Sequence, residues 1–314
     1  FYRHRFQSRS QADHCVEIAL QQLDSAYQSK APVFQFIHLM DPHTNYAPPS
    51  DIRGTVSGPL ATQISTAYLP NPTAEISLDL VRKVQTNIQK GEDESALAAA
   101  YYHQVYLEEV IEVDAQLQRI LAKLENSGRP FVLLLTADHG EQFAEHGLMD
   151  HANSLYEENI RVPFILFGPD IKAGKIDGVP QLCDVVPTLL SRAGIEYDST
   201  AFDGQPIGLR VMPRPHVAVD QKEIAVRSAA AHKWIGAWQN ADELPLGVKL
   251  FDISEGEHQN LIGHYSQYES EFRDLIDFYF ENDTYASRQA NATTSAAQQA
   301  ALSSLGYADQ EDDR

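Results

Sequence analysis

The sequence predicts an α/β fold: a largely parallel or mixed central sheet with helices on both faces, followed by a small C-terminal antiparallel sheet-and-helix subdomain. Three observations carry this reading. Short apolar runs at residues 33–39, 131–136 and 162–167 alternate with segments of helical periodicity, the pattern of a sheet covered on both faces. After Pro213 the texture changes to short β-like runs and one amphipathic segment. Polar, histidine-bearing loops follow two of the apolar runs, where α/β sheets bind ligands at the carboxyl ends of their strands. The expected organisation is a core over residues 1–212, a small α+β subdomain over 213–281 and a flexible acidic tail over 282–314.

The elements follow in order. Asp13 can cap a first helix whose apolar face is Val16, Leu20, Leu23 and Tyr27. The strand at 33–39 comes next. Residues 48–74, rich in Pro, Gly, Ser and Thr without a period, read as a long surface excursion near the site. A helical region then runs to Asn126, with Tyr102, Tyr106, Val113, Leu117, Ile120, Leu121 and Leu124 at three- and four-residue steps. Ser127-Gly128 supplies its stop. After the strand at 131–136 and its loop, a short helix is expected around 154–159, a second buried strand at 162–167, and a helix starting at Asp184 and ending at Gly194. The C-terminal runs are 216–219, 224–227, 234–238 and 248–251, with a helix at 268–280.

Composition narrows the function. The chain has 314 residues and a net charge of −20, from 44 acidic against 24 basic residues. Phosphate backbones require clustered Lys and Arg, so a nucleic acid partner is disfavoured. An anionic substrate would depend on local positive charge, such as a metal ion or protonated histidines. No uninterrupted apolar stretch is long enough to span a bilayer. Cys15 and Cys183 read as two buried free thiols rather than a disulfide.

Two clusters carry the chemistry. Thr136-Ala137-Asp138-His139-Gly140-Glu141, continuing through His146 to Asp150-His151, follows one strand. His38-Leu39-Met40-Asp41-Pro42-His43 with Tyr46 follows the other. Five of the chain's twelve histidines fall in these two windows. Carboxylate and neutral imidazole are both metal ligands, and histidine serves as an acid or cation near neutral pH.

In these motifs the chain resembles the sulfatase family of the alkaline phosphatase superfamily. Other segments match in the same order: Tyr106-Leu107-Glu108-Glu109-Val110, Tyr156-Glu157-Glu158 with Arg161-Val162-Pro163, Asp184-Val185-Val186-Pro187-Thr188, Asp203-Gly204-Gln205-Pro206, Leu250-Phe251-Asp252-Ile253 with Glu257, and Leu305-Gly306-Tyr307. The resemblance implies hydrolysis of a sulfate ester clamped on one divalent cation. A formylglycine hydrate, made from Cys or Ser in a Cys/Ser-x-Pro-Ser-Arg segment, is the nucleophile. No such segment occurs here, since Cys15 precedes Val-Glu-Ile and Cys183 precedes Asp-Val-Val. The expectation is a core truncated at its N-terminus, without nucleophile or upstream acidic ligands, and inactive alone. The resemblance also implies a setting outside the cytoplasm: periplasmic, extracellular or membrane-anchored.

Within that frame Asp138 and His139 are the expected metal ligands, and His43 and His151 the expected contacts to sulfate and leaving group. His38 and His146 are candidate supporting residues. The family points to Ca²⁺, while imidazole at His139 shifts the preference towards Mg²⁺, Mn²⁺ or Zn²⁺. Tyr46 to Pro49 either lines the substrate mouth or forms a rigid turn. The partner is a small-molecule or saccharide sulfate ester. Two alternatives remain open: a phosphotransferase or phosphodiesterase of the same superfamily, which the Asp-His pair permits, and a non-catalytic binding protein.

Overall fold

The architecture comes from a computed structural model that describes residues 11–29, 31–168, 171–176, 178–208, 215–220, 222–228, 231–237 and 246–282. The acidic tail, the Leu305-Gly306-Tyr307 match and the expected strand end at Trp238 lie outside the described residues. The chain divides into two compact units. One comprises Phe1–Gly174, Ala218–Glu223 and Glu255–Gln259; the other comprises Lys175–Val217, Ile224–Ser254 and Asn260–Arg314.

The first unit is built around two long helices. α1 (Gln11–Tyr27) buries Ala12, Val16, Ala19 and Leu23, a stripe at three- and four-residue spacing. The short α2 (Gly58–Ala61) and the amphipathic α3 (Leu78–Gln89) follow, the latter capped by the Ser77 hydroxyl accepting from Leu80 N–H. α4 (Asp93–Asn126) is the longest element and starts with Asp93 and Glu94, which suit a helix N-terminus. Arg119 and Lys123 of α4 pair with Asp13 and Asp24 of α1. The core here gathers Tyr46, Tyr68, Leu69, Ile76, Val81, Val84, Ala98, Tyr101, Tyr102, Val105 and Met149. The excursion at 48–74 therefore does more than cross the surface: Tyr68 and Leu69 reach the core, and Tyr102 donates its hydroxyl to the Tyr68 carbonyl at 2.7 Å.

β1 (Leu133–Thr136) leads into the hairpin β2 (Gln142–Phe143) and β3 (Met149–Asp150). The short α5 (Glu157–Ile160) and β4 (Phe164–Phe167) complete this part. β1 and β4 pair antiparallel, Leu133 opposite Phe167 and Thr136 opposite Phe164. The class is thus mixed α/β, with antiparallel pairing between these two strands. The segment 33–39 forms no ladder among the described residues. The expected buried strand is not formed there: Phe34 and Phe36 are 81% and 79% exposed, and among the described residues no strand packs beside them.

α6 (Val185–Arg192) is followed by a sheet, most of whose residues belong to the second unit, of order β5 (His216–Val219), β6 (Glu223–Arg227), β7 (His232–Ala237) and β8 (Leu246–Asp252). β7 and β8 run antiparallel. α7 (Tyr265–Asn282) packs Phe272 and Ile276 against Trp234, Ile224, Val226 and Leu250. This is the small sheet-and-helix arrangement that the sequence predicts after Pro213. Both cysteines are free, but Cys183 is exposed rather than buried. Its segment is a single 3-10 turn that buries Asp184 and leaves Cys183 on the outside.

Candidate active site

The loop after β1 owes its path to Gly140. Its N–H donates to the Asn159 carbonyl at 2.7 Å, and a Cβ placed there would sit 2.0 Å from the Glu158 carbonyl oxygen. Only glycine allows that approach. Buried Gln142 then anchors the segment, its Oε1 accepting from the Ser154 hydroxyl and Asn159 Nδ2. Between residues 144 and 152 four non-glycine residues, Ala144, His146, Asp150 and Ala152, have φ between 55° and 86°. Left-handed backbone at such residues is costly and clusters at functional sites.

The second loop is held from α4. Glu109 Oε1 accepts from the Ala47 N–H at 2.5 Å, and Glu108 Oε1 accepts from Val56 and Ser57 N–H. Both carboxylates are buried. Burial, reinforced by the Asp41 charge and opposed by the Ala47 N–H and by Arg53, pushes the Glu109 carboxyl up from 4.5 to about 8. A carboxyl with a raised folded pKa contributes stability that is fully present below the unfolded value and lost as pH rises through the folded one. Chemical denaturation of the wild-type chain should therefore lose stability between about pH 5 and pH 9, and Glu109→Gln, which keeps the acceptor for Ala47, should flatten that loss. Equal slopes in the two proteins would exclude Glu109 as the source. Tyr46, next to this anchor, is fully buried beside Phe143 and Tyr106. Its backbone bridges to Ile76, Tyr46 N–H donating to the Ile76 carbonyl at 3.1 Å and Ile76 N–H to the Tyr46 carbonyl at 2.9 Å.

These two loops bring three imidazoles together. The ligand nitrogens of His43, His139 and His151 lie within 4.8 Å of one another. The rings of His139 and His151 stack at a centroid distance of 4.1 Å, and His43 meets His151 edge-on at 4.8 Å. His139 Nδ1 donates to the Gly140 carbonyl at 2.8 Å and His43 Nδ1 to the Thr44 carbonyl at 2.6 Å. Each Nδ1–H is thus assigned by a backbone acceptor, which leaves Nε2 as the lone-pair nitrogen; metal-binding histidines use the same arrangement. Asp138 has a half-exposed carboxylate 3.9 Å from His139 Nε2, and its Oδ1 accepts from His139 N–H.

His151 differs from the other two. Its Nδ1 lies 3.1 Å from Asp150 Oδ1 and 3.2 Å from Glu141 Oε1. Burial would pull its pKa down, but hydrogen bonds and charge from the two carboxylates outweigh it and push the ring up to about 10. Burial would raise Asp150, and the His151 contact reverses this to hold it below its usual value.

His38 and His146 stand outside this triad. The His38 ring has Phe36 as a tilted neighbour, and its carbonyl accepts from the Cys15 thiol. His146 stacks on Tyr156 at 3.7 Å and lies 3.5 Å from Glu158. Together with Glu257 these form a separate acidic group. The residues that sequence reasoning missed are Glu141, Asp150 and Thr44. All three sit inside the quoted motifs, but their role depends on contacts across about a hundred residues of chain.

The convergent imidazoles thus stand at loop ends of a mixed α/β frame. Residues 10–195, more than half of the chain, match the family described as Sulfatase, and the chain belongs to that family. It is 26% identical over 258 residues to the Delta 4,5-hexuronate-2-O-sulfatase of Bacteroides thetaiotaomicron, a match covering 71% of this chain and 50% of that protein. It is 36% identical over 104 residues to sulfatase ppz1 of Metarhizium majus, covering 31% and 24%. With arylsulfatase K of Mus musculus the identity is 37% over 87 residues, covering 27% and 16%. The chain thus spans half or less of the length of these curated relatives.

Proposed function

We propose that the chain contributes His43, Asp138, His139 and His151 to a sulfuric ester hydrolase whose nucleophile lies outside these 314 residues. The observation that carries this reading is the convergence of three imidazoles from two loops, with the Nδ1 atoms of His43 and His139 each held by a backbone carbonyl. Asp138 and His139 would hold one divalent cation. A donor set of carboxylate and imidazole fits Mg²⁺, Mn²⁺ or Zn²⁺ at least as well as the Ca²⁺ that the family suggests. The cation supplies charge stabilisation at the ester oxygens.

The chain's own residues supply the rest. His151, cationic between Glu141 and Asp150, binds an anionic oxygen despite the net negative charge of the protein. His43 retains an Nε2 that can exchange a proton with the leaving oxygen. Gly140 and Asn159 keep the metal loop in place while the ester binds. No described helix is long and apolar enough to cross a membrane, and the proposed substrate is a small-molecule or saccharide sulfate ester.

The test compares an aryl sulfate with an aryl phosphate diester, using this chain and the complete gene product co-expressed with a formylglycine-generating enzyme. The expected result is sulfate turnover by the complete protein and none by the 314 residues alone. Preference for the diester would favour phosphoryl transfer, which the Asp138-His139 pair also permits. Turnover by the chain alone, abolished by Asp138→Ala, would refute the assignment of the nucleophile elsewhere.

A further inference from the structure

Five side chains close a hydrogen-bonded ring beneath the site. Tyr46 Oη donates to Glu141 Oε2 at 2.9 Å. Glu141 Oε1 faces His151 Nδ1, and the same Nδ1 faces Asp150 Oδ1. The single Thr44 hydroxyl proton is shared between Asp150 Oδ1 at 3.2 Å and Tyr46 Oη at 3.3 Å, since the Tyr46 proton is committed to Glu141. Thr44 and Tyr46 belong to one histidine loop, and Glu141, Asp150 and His151 to the other. The ring therefore clamps together two loops that the sequence places about a hundred residues apart.

We propose that Glu141 and Asp150 are positioning residues for His151, with Tyr46 and Thr44 setting the carboxylates in turn. The proposal rests on the reading of His151 as the contact to the anionic ester. Two carboxylates share one N–H, so a ring flip would deprive both Glu141 and Asp150 of that donor. Glu141 has a side chain only 5% exposed and Tyr46 is fully buried, so water does not replace either bond readily. Burial and the neighbouring Glu141 raise the Tyr46 hydroxyl above its usual range, so it remains a donor. Asp150 reaches Nδ1 of its own neighbour because its backbone adopts φ 70°. With Nδ1 committed in this way, Nε2 is the ring nitrogen left for substrate. The stack on His139 then places that ring beside the proposed metal ligand.

The clamp also fixes the orientation of the His151 ring. A lone imidazole on a loop rotates about two bonds, and the ring removes that freedom before substrate arrives. Preorganisation of this kind lowers the cost of binding and of charge development.

The test is long-range ¹H–¹⁵N NMR of the histidine side chains in this chain, with ring-to-ring contacts read from NOEs. Wild type should show a protonated His151 Nδ1 and NOEs between His151 and His139. Glu141→Gln with Asp150→Asn should lose those NOEs while contacts between His43 and His139 persist. If that double variant does not fold, Glu141→Gln and Tyr46→Phe singly should each shift the His151 signals and leave those of His232 in place. Unchanged His151 signals in the variants that fold would overturn the proposal. None of these readouts needs turnover or a metal. A protein with the predicted His151 signature but no ester hydrolysis would fault the functional reading and leave the clamp standing.

Discussion

Replacing Gly140 with alanine is expected to destabilise the first unit by about 3 kcal/mol, at the upper end of overpacking costs. The new Cβ would lie 2.0 Å from the Glu158 carbonyl oxygen, a backbone atom that cannot rotate away. Relief requires the Gly140–Asn159 hydrogen bond to lengthen, and the whole segment from Asp138 to Gln142 moves with it. Gly147 is the control: its φ is +73° but nothing lies within 4 Å of an added Cβ. Gly147→Ala should cost only the left-handed backbone strain of roughly 1–2 kcal/mol. Scanning calorimetry should show a fall of roughly 6–12 °C for Gly140→Ala, using the usual conversion for a unit of this size, and a smaller one for Gly147→Ala. Equal shifts would mean that the close approach to Glu158 does not hold the loop.

The larger effect is on turnover. In the complete gene product, matured so that the formylglycine is present, His43→Ala and His151→Ala should each lower kcat for an aryl sulfate by about 10²- to 10⁴-fold, the range for loss of a positioned acid or base. His151→Lys should recover part of the activity, because a lysine ammonium can contact the same oxygen without the Glu141 and Asp150 clamp. His38→Ala should stay within a few-fold of wild type, since its ring has Phe36 rather than the triad for a neighbour. A loss at His38 as deep as that at His151 would show that the site was drawn around the wrong histidines.

Much of this site was legible in the sequence. Asp138, His139 and His151 follow one apolar run and His43 the other, and strand ends are where α/β folds collect ligands. The convergence of His43, His139 and His151 followed from that rule. The supporting residues did not. Glu141 and Asp150 look like ordinary loop carboxylates until Tyr46 and Thr44 are seen beside them, and no local pattern announces a contact made across the fold. Nor does periodicity reveal whether an extended run finds a partner. Residues 33–39 read as a strand, yet no ladder forms among the described residues, whereas the shorter run at 133–136 pairs with β4. Tyr46 illustrates a third limit. Its Pro-rich neighbours suggested a rigid turn or an exposed mouth, whereas the ring is buried against Tyr106 and Phe143 and its backbone bridges to Ile76. The C-terminal sheet was the easiest part, because its short β-like runs are set off from the helical segments before and after them.

The central claim is that the two histidine loops form one cation-centred site. Paramagnetic broadening by Mn²⁺ tests it most directly, because it reads weak binding in the chain as it stands. Substoichiometric Mn²⁺ should broaden the ring signals of His139, His43 and His151 before any other histidine, and Asp138→Ala should abolish that selectivity. Broadening that begins at His146, beside Glu158 and Glu257, while His43, His139 and His151 stay sharp, would contradict the account.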